Sequence, residues 1–324
     1  MQLTANVRAV QVPDNNPMHP QFTTIYLVGK GQVFTIDSGE DDERYRWMLK
    51  GYLAASEKAE IGQSAVTHFH ADHSANLRWL REEFGAEVLT MRNAPPLLGD
   101  RLPDRGVRLL DDGDVVGPSD TVRMTVLHTP GHSPDSVSYY LEDEGVLFSG
   151  DTVLGGSTTT VADLGDYLAS LQRLRALPNL RLICPGHGPV IDNPVAWIDE
   201  YVSHRMQREQ QVVQALGDGE AHTSWEIMER LYTDLNPRLR RAADGNVRSH
   251  LRKLEKEGRL KVYEGAPRTP DADAQTRAEA EEHERQETLR LADQIREEQR
   301  RRAIFLQENP PDAEWAEPPR YQLL

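Results

Sequence analysis

The segment from Thr67 to His73 places four potential metal ligands within six residues of the chain. These ligands are His68, His70, Asp72 and His73. An apolar run at 64–66 reads as a strand before the segment, and a helical pattern at 74–84 follows it. Side chains that follow the end of a strand can converge on one point, and imidazole with carboxylate suits zinc, iron or manganese. The segment therefore predicts a metal site in a loop.

Three further candidate ligands, His132, Asp151 and His187, each follow a predicted strand and a glycine. We expect positive φ values at these glycines to aim the side chains inward. A single histidine or aspartate in such a position is more often a turn residue than a ligand, and Asp72 alone could cap the next helix. The seven residues together are a different case, because clustered ionisable side chains without a ligand would repel one another. We predict that all seven bind metal.

Composition limits the other classes of function. The chain has 324 residues, which leaves room for about two domains. A membrane helix needs roughly 18 apolar residues in a row, and the absence of such a run argues against a membrane-spanning protein. The single cysteine, Cys184, excludes an internal disulfide, fits a reducing cytoplasm and reads as a core residue. The net charge of −15 argues against binding nucleic acid through bulk charge.

Changes of pattern along the chain indicate three regions. Residues 1–216 begin with strands and continue with alternating strands and helices, which predicts sheets covered by helices. Residues 217–263 begin with a Gly-Asp-Gly boundary and then show the helix–turn–helix and strand pattern of a winged helix. Residues 264–324 are charged and poor in large apolar side chains, so we predict a helical tail, with its helix at 274–306, that is partly disordered.

The seven-ligand pattern resembles that of the metallo-β-lactamase superfamily, whose signature is His-x-His-x-Asp-His followed by a single His, Asp and His. The resemblance implies an α/β fold, a four-layer αββα sandwich with two metal sites at one edge. It assigns His68, His70 and His132 to the first metal, Asp72, His73 and His187 to the second, and Asp151 to a bridge between them. It also implies two zinc ions, with manganese or iron as alternatives, and a metal-bridging hydroxide that attacks the substrate.

Two aspartates have roles that remain open at this point. Asp72 could pass a proton to the leaving group, which makes it a candidate catalytic residue, although metal binding alone is the simpler role. Asp37 resembles the early Asp-x-Gly turn of the superfamily, and we expect it to be a turn residue or a partner of a ligand. We expect His128 to pack near the site and the remaining histidines to lie at the surface.

The second half of the chain indicates which branch of the superfamily the sequence resembles. The segments 154–168, 204–211 and 251–258 are similar to the lactamase-beta-2-like branch, in which a winged helix follows the hydrolase fold. That branch includes an endoribonuclease that cuts single-stranded RNA, and its fungal relatives include polyketide thioesterases. Residues 236–262 hold nine arginines and lysines against three acidic residues, which fits either phosphate contacts or a solvated helix face.

These observations predict a zinc-dependent hydrolase of the cytoplasm. Its partner would be single-stranded RNA or a small acyl or thioester substrate, for an endoribonuclease or a glyoxalase II-like thioesterase respectively. A mononuclear iron persulfide dioxygenase is a third interpretation, which the metal content decides. A regulator on a dead hydrolase scaffold would have lost ligands, and none of the seven is missing. We expect no membrane partner, and a homodimer is one expected assembly.

Overall fold

A computed structural model describes residues 1–13, 22–56, 59–267, 315–317 and 319–323 of the chain. Contacts divide the chain into two units, Met1–Met206 and Gln207–Leu324. The first unit contains two sheets with helices on their outer faces.

The first sheet has six strands in sequence order. They are β1 (Val7–Pro13), β2 (Phe22–Val28), β3 (Gln32–Ile36), β4 (Glu60–Ala65), β5 (Glu87–Met91) and β6 (Val107–Leu110). Strands β1 to β3 pair antiparallel, whereas β3 to β6 run parallel. The parallel strands point their carboxyl ends at one edge of the sheet, so the loop after β4 lies at that edge.

The second sheet has five strands in the order β11-β10-β9-β8-β7. They are β7 (Val115–Ser119), β8 (Val122–His128), β9 (Val137–Leu141), β10 (Val146–Gly150) and β11 (Leu182–Pro185). Strands β7 to β10 pair antiparallel, and β10 with β11 pairs parallel. Strands β9 and β10 form an antiparallel hairpin.

Helices connect the strands of this unit and cover the sheets. They are α1 (Glu43–Ala55), α2 (Ala71–Ser74), α3 (Leu77–Phe84), α4 (Pro95–Leu98), α5 (Leu164–Arg175) and α6 (Pro194–Ala215). Short 3-10 turns lie at Gly99–Arg101 and Glu142–Glu144. In the part of the chain that the structure describes, no helix has the length and apolar character needed to cross a membrane.

The buried side chains separate into three layers, which confirms the predicted αββα sandwich. Tyr139 and Cys184 face the layer between the two sheets. Tyr140, one residue along β9 from Tyr139, faces α5 and α6 instead, as the period of two along a strand requires. On the other side, Leu49 of α1 and Leu80 of α3 pack on the outer face of the first sheet. Cys184 is thus a core residue, as predicted.

The second unit contains the predicted winged helix. Its elements are α7 (Ser224–Leu231), a 3-10 turn (Pro237–Leu239), α8 (Arg240–Lys256) and β12 (Leu260–Tyr263). Thr223 and Glu226 form a reciprocal capping box that begins α7. Val212 near the end of α6 and Leu216 just after it are buried in the apolar core of this unit, and the contacts accordingly divide the chain after Met206.

The end of the chain differs from the predicted charged tail where the structure describes it. Short strands β13 (Ala266–Pro267) and β14 (Trp315–Glu317) pair with each other, and β15 (Arg320–Leu323) pairs antiparallel with β12. Tyr321 and Leu323 pack against the winged-helix core, so this stretch forms a strand because its apolar side chains alternate onto a buried face. The helix predicted at 274–306 lies outside the described residues.

Candidate metal centre

All seven predicted ligands lie in segments that follow strands of the first unit. His68 and His70 follow β4, and the short helix α2 carries Asp72 and His73. The other three follow β8, β10 and β11 and are His132, Asp151 and His187. The structure brings these residues together in two clusters, and within each cluster the ligand atoms lie within 4.8 Å of one another.

The first cluster consists of three imidazoles. Nε2 of His68 lies 2.9 Å from Nδ1 of His70 and 3.2 Å from Nε2 of His132. The third edge, from His132 Nε2 to His70 Nδ1, is 3.1 Å. Nitrogen ligands of a tetrahedral zinc ion, each about 2.0 Å from the metal, are separated by about 3.3 Å. The three nitrogens therefore form a nearly equilateral triangle of the size that one metal ion occupies.

The second cluster combines two imidazoles with two carboxylates. Nε2 of His73 and Nε2 of His187 are 3.2 Å apart. Oδ2 of Asp72 lies 3.0 Å from His187 Nε2 and 3.3 Å from His73 Nε2. This mixed set of nitrogen and oxygen donors suits a divalent transition metal.

Asp151 links the two clusters. Its Oδ1 lies 3.3 Å from Nε2 of His73, and its Oδ2 lies 3.4 Å from Nε2 of His187. The same Oδ2 lies 3.9 Å from Nε2 of His132 in the first cluster. Oδ1 is buried and makes no hydrogen bond of acceptable geometry within the described structure. A buried carboxylate that faces imidazole nitrogens in this way has the arrangement of a bridging ligand.

In two of the ligand imidazoles, the ring nitrogen that points away from the cluster lies within hydrogen-bond distance of a residue from another part of the chain. Nδ1 of His132 lies 2.8 Å from the carbonyl oxygen of Thr160 and 2.9 Å from Oγ1 of Thr159. Nδ1 of His187 lies 3.0 Å from Oγ1 of Thr23. Because a carbonyl can only accept, His132 carries its proton on Nδ1 and presents the lone pair of Nε2 to the cluster.

Asp37 orients one ring of each cluster. Its Oδ2 accepts a hydrogen bond from Nδ1 of His73 at 2.7 Å and another from the Thr67 hydroxyl at 3.0 Å. That hydroxyl oxygen in turn lies 3.1 Å from Nδ1 of His68. Asp37 adopts a φ of 66°, a strained value for a residue with a side chain, and is 2% exposed. The prediction that Asp37 is a partner of a ligand is confirmed.

The two clusters differ in protonation. Burial, together with the neighbouring His73 and His132 rings, holds the pKa of His68 well below its usual value. Burial also lowers the pKa of His70 to about 4. These imidazoles of the first cluster are therefore neutral at neutral pH and offer free lone pairs.

In the second cluster the carboxylates have the larger effect on the pKa values of the imidazoles. Burial alone would lower the pKa of His73, but Asp72, Asp151 and Asp37 raise it well above the usual value. For His187, Asp151 and Asp72 likewise outweigh burial and raise the pKa to about 9. The two imidazoles in turn hold the pKa values of Asp72 and Asp151 well below the usual range, against the effect of burial. Without a metal ion, protons on the imidazoles balance the buried carboxylates.

Gly186 leaves room for the second cluster. A Cβ at this position would lie 2.5 Å from Cε1 of His73 and 2.6 Å from Oδ1 of Asp151. The expectation of positive φ holds for Gly131 and Gly150 but not for Gly186, which acts through its missing side chain instead. The donors, the spacing of the first triangle and this cradle all fit a pair of divalent metal ions.

Four other histidines of the described chain have different surroundings. His128 contacts the Pro134 carbonyl at 3.0 Å, on the loop that carries His132. His250 is 0% exposed and His222 is 8% exposed, so the prediction that they lie at the surface is wrong. His250 belongs to the buried face of α8, and His222 is held by Asp218 at 2.9 Å. His204 is half-buried, whereas His19 and His283 lie outside the described residues.

Comparison with known proteins gives the class. The sequence profile of the metallo-beta-lactamase superfamily matches residues 19–187, and that of the beta-lactamase associated winged helix domain matches residues 223–266. The beta-lactamase-like protein 2 homolog of Caenorhabditis elegans is 38% identical over 247 residues, which cover 75% of this chain and 81% of that protein. Its counterpart in Drosophila melanogaster is 30% identical over 290 residues, which cover 82% and 93%.

Two further similarities are more distant. An atrochrysone carboxyl ACP thioesterase of Aspergillus fumigatus is 37% identical over 213 residues, which cover 64% of this chain and 65% of that protein. The crystal structure of a beta-lactamase domain protein from Burkholderia ambifaria matches in fold with a TM-score of 0.74 at 22% identity, covering 82% of this chain and 90% of that one. The chain therefore belongs to the metallo-beta-lactamase superfamily. It is a hydrolase of that superfamily with a candidate dinuclear metal site.

Proposed function

We propose that the protein hydrolyses an activated acyl bond, a thioester or a reactive ester, with two zinc ions as the preferred metals. The observation that carries this proposal is the link that Asp151 makes between the two clusters. One carboxylate within 3.9 Å of ligand nitrogens from both clusters is the arrangement that a two-metal hydrolase requires.

Besides Asp151, six residues of the chain would bind the metal ions, and a buried cysteine takes no part in the reaction. A metal pair bound here would polarise an acyl oxygen and lower the pKa of a bound water. His68, His70 and His132 would hold one ion, and Asp72, His73 and His187 would hold the other. Cys184 is 1% exposed and its burial raises the pKa of the thiol, so it is not a nucleophile.

Asp72 acts in this proposal as a ligand whose carboxylate stays ionised. His73 and His187 hold its pKa well below the usual range, so Asp72 does not carry a proton into the reaction. Its Oδ2 lies 3.0 Å from His187 Nε2, within the second cluster. A role in proton transfer to the leaving group would be limited to accepting a proton and passing it on.

The charge of the winged-helix unit supports an acyl substrate over RNA. Lys253 pairs with Glu209 at 2.8 Å and with Glu257 at 2.7 Å, and Arg248 pairs with Asp244 at 2.5 Å. Arg240 and Arg259 also pair, with Glu229 and with Glu209 respectively. At least four of the nine cations counted in the sequence are therefore engaged by carboxylates and contribute less to phosphate binding.

The aromatic side chains of this unit are also engaged. Arg208 lies 4.3 Å from the centre of the Tyr232 ring, and Lys261 lies 4.6 Å from that of Tyr263. A cation stacked on one face of a ring leaves less surface on which a base can stack. The thioesterase among the relatives supports an acyl substrate for the first unit, and single-stranded RNA is the competing substrate.

The test is metal analysis of the protein as purified, combined with two substrate assays on a zinc-loaded sample of the same preparation. The substrates are an acyl-coenzyme A, with release of the free thiol followed in a colour assay, and a 5′-labelled single-stranded RNA. The matched variants are His132→Ala, which removes a ligand, and His128→Ala, which removes a nearby ring outside both clusters. We expect two metals per chain and thioester turnover that His132→Ala abolishes and His128→Ala retains.

Three other results contradict parts of this proposal. RNA cleavage without thioester turnover would replace the acyl substrate by a phosphodiester. One iron per chain would overturn the hydrolysis proposal in favour of oxygen chemistry. Turnover that persists in His132→Ala would remove the first cluster from the mechanism.

A further inference from the structure

Three side chains of helix α6 form a stripe that holds the loop 154–160. Trp197, Tyr201 and Arg205 are spaced four residues apart, so they lie on one face of the helix. Tyr201 is 4% exposed and Arg205 is 2% exposed. A stripe of polar groups this deeply buried is expected to hold specific partners.

Each member of the stripe bonds to the backbone of the loop. Nε1 of Trp197 donates to the Leu154 carbonyl at 2.9 Å. The Tyr201 hydroxyl accepts from the Leu154 N–H at 2.9 Å and also contacts the Ser157 carbonyl. Nη2 of Arg205 donates to the Thr159 carbonyl. The loop is therefore fixed at its beginning, its middle and the residue before Thr160.

The far end of this loop orients a ligand of the first cluster. Thr159 Oγ1 and the Thr160 carbonyl lie 2.9 Å and 2.8 Å from Nδ1 of His132. The carbonyl selects the tautomer of His132 that presents Nε2 to His68 and His70. A shift of the loop would rotate this ring or remove its partner.

Arg205 also acts on the other side of His132. Its guanidinium lies 5.4 Å from the centre of the Tyr167 ring. The backbone of Tyr167 lies directly against Gly131, where an added Cβ would come within 2.4 Å of it. Arg205 thus contacts both Thr159 and Tyr167, the residues that flank the 131–132 turn.

We propose that Arg205 is a positioning residue that fixes the ring orientation and tautomer of His132 and so tunes the affinity of the first cluster for metal. Within the described residues Arg205 forms no ion pair, although burying a lone cation is costly. The planar guanidinium can donate to a carbonyl and stack on an aromatic ring at the same time, which a lysine cannot do. The inference rests on the proposed metal centre.

The experiment compares Arg205→Met and Arg205→Lys with Arg175→Met. Arg175 is a matched control because it is an exposed arginine of the same unit, paired with Asp199 at the surface. Zinc affinity is measured by competition with a chelator, and the absorption spectrum of the cobalt-substituted protein reports ligand geometry. Arg205→Met is expected to lower first-site affinity by about 10- to 100-fold and to change the cobalt spectrum.

Arg205→Lys is expected to lie between wild type and Arg205→Met, and Arg175→Met is expected to match wild type. If Arg205→Met does not fold, Arg205→Lys carries the test, because it keeps the charge and loses the planar stack. Wild-type zinc affinity and cobalt spectrum in a folded Arg205 variant would overturn the inference, even with a lower melting temperature. A wild-type protein that takes up no metal would instead contradict the proposed function.

Discussion

The two clusters of the candidate metal centre have opposite electrostatic properties before a metal ion binds. In the first cluster, burial and neighbouring rings keep His68 and His70 neutral, and their lone pairs converge on a small triangle. In the second cluster, Asp72 and Asp151 raise the pKa of His187 to about 9, so the imidazole holds a proton where a metal would sit. The first cluster is poor in negative charge, whereas the second balances buried charges with protons.

This difference teaches that proximity of ligands does not by itself determine how a site responds to metal. A divalent ion entering the first cluster finds His68 and His70 neutral, whereas an ion entering the second must displace protons. Four of the imidazoles thus differ in pKa, which is lowered at His68 and His70 mainly by burial and raised at His73 and His187 by neighbouring carboxylates. Five predictions test this contrast.

Replacing Asp151 by alanine is expected to have the largest effect, because its carboxylate contacts both clusters. We expect hydrolysis to fall by more than about 100-fold, beyond the loss typical for partners of metal ligands. The metal content should fall below two per chain, as measured by elemental analysis. Asp112→Ala, which removes a surface partner of Arg173, is the control and should keep both properties. Normal activity in Asp151→Ala would refute the bridge between the clusters.

Gly186→Ala should damage the second cluster selectively. The added Cβ would overlap Cε1 of His73 at 2.5 Å and Oδ1 of Asp151 at 2.6 Å. We expect second-site affinity to fall by about 100-fold, at the upper end for changes around metal ligands, with the first site nearly unchanged. Gly156→Ala is the control, since its Cβ would meet its nearest atom at an ordinary 3.8 Å. Equal loss at both sites would show that the clusters are not separable.

The pH dependence of metal binding should also separate the clusters. With a pKa of about 9 for His187 and a raised pKa for His73, second-site affinity should fall by at least about tenfold for each pH unit from 8 to 6, because protons compete with the metal. His68 and His70 are neutral over this range and should release no protons. Calorimetry in buffers of different ionisation enthalpy counts the protons released at each site. Equal release at both sites would contradict the assigned protonation.

The metal-free protein should show the linked effect on stability. A raised folded-state pKa for His187 stabilises the fold fully below the unfolded value of about 6.5, and the stabilisation is lost as pH rises through about 9. Urea unfolding in a chelator at pH 6 and pH 10 tests the sign. In a metal-loaded sample the ring nitrogen is occupied, so the free energy of unfolding should fall less over the same pH range.

The smallest effect is expected from Thr23→Val, which removes the partner of His187 Nδ1 at 3.0 Å. Second-site affinity should fall by about tenfold, the lower end for losing such a partner. Thr35→Val is the matched control, because the Thr35 hydroxyl is equally buried and has no hydrogen-bond partner in the described structure. A chelator titration that cannot distinguish the two variants would show that Thr23 does not orient the ring.

The sequence was sufficient to predict the sandwich and the winged helix, because both depend on local patterns. Alternating strands and helices in residues 1–216 predicted sheets covered by helices, and the helix–turn–helix and strand pattern in residues 217–263 predicted the winged helix. The seven candidate ligands could be found because each follows a strand. A contact between Asp37 and a ligand was also among the expectations, since its turn resembled that of a known superfamily.

Other features depend on partners that are distant in the chain. Arg205 lies 46 residues from Thr159, and nothing in its local sequence pattern indicates that its side chain is buried and bonded to that residue. The basic excess counted at 236–262 missed Glu209 and Glu229, which pair with Lys253 and Arg240. Strand β15 reads as part of a charged tail until it pairs with β12, so its structure could not be derived from composition.

The sequence by itself determined which donors are available and where each enters the fold, because ligand type and position after a strand are local properties. Only the tertiary structure decided how those donors are grouped, which rings are neutral and which hold protons. The physical reason is that electrostatic energy depends on distance in space and on burial. Asp151 and His187 are 36 residues apart in the chain, yet Oδ2 of one lies 3.4 Å from Nε2 of the other.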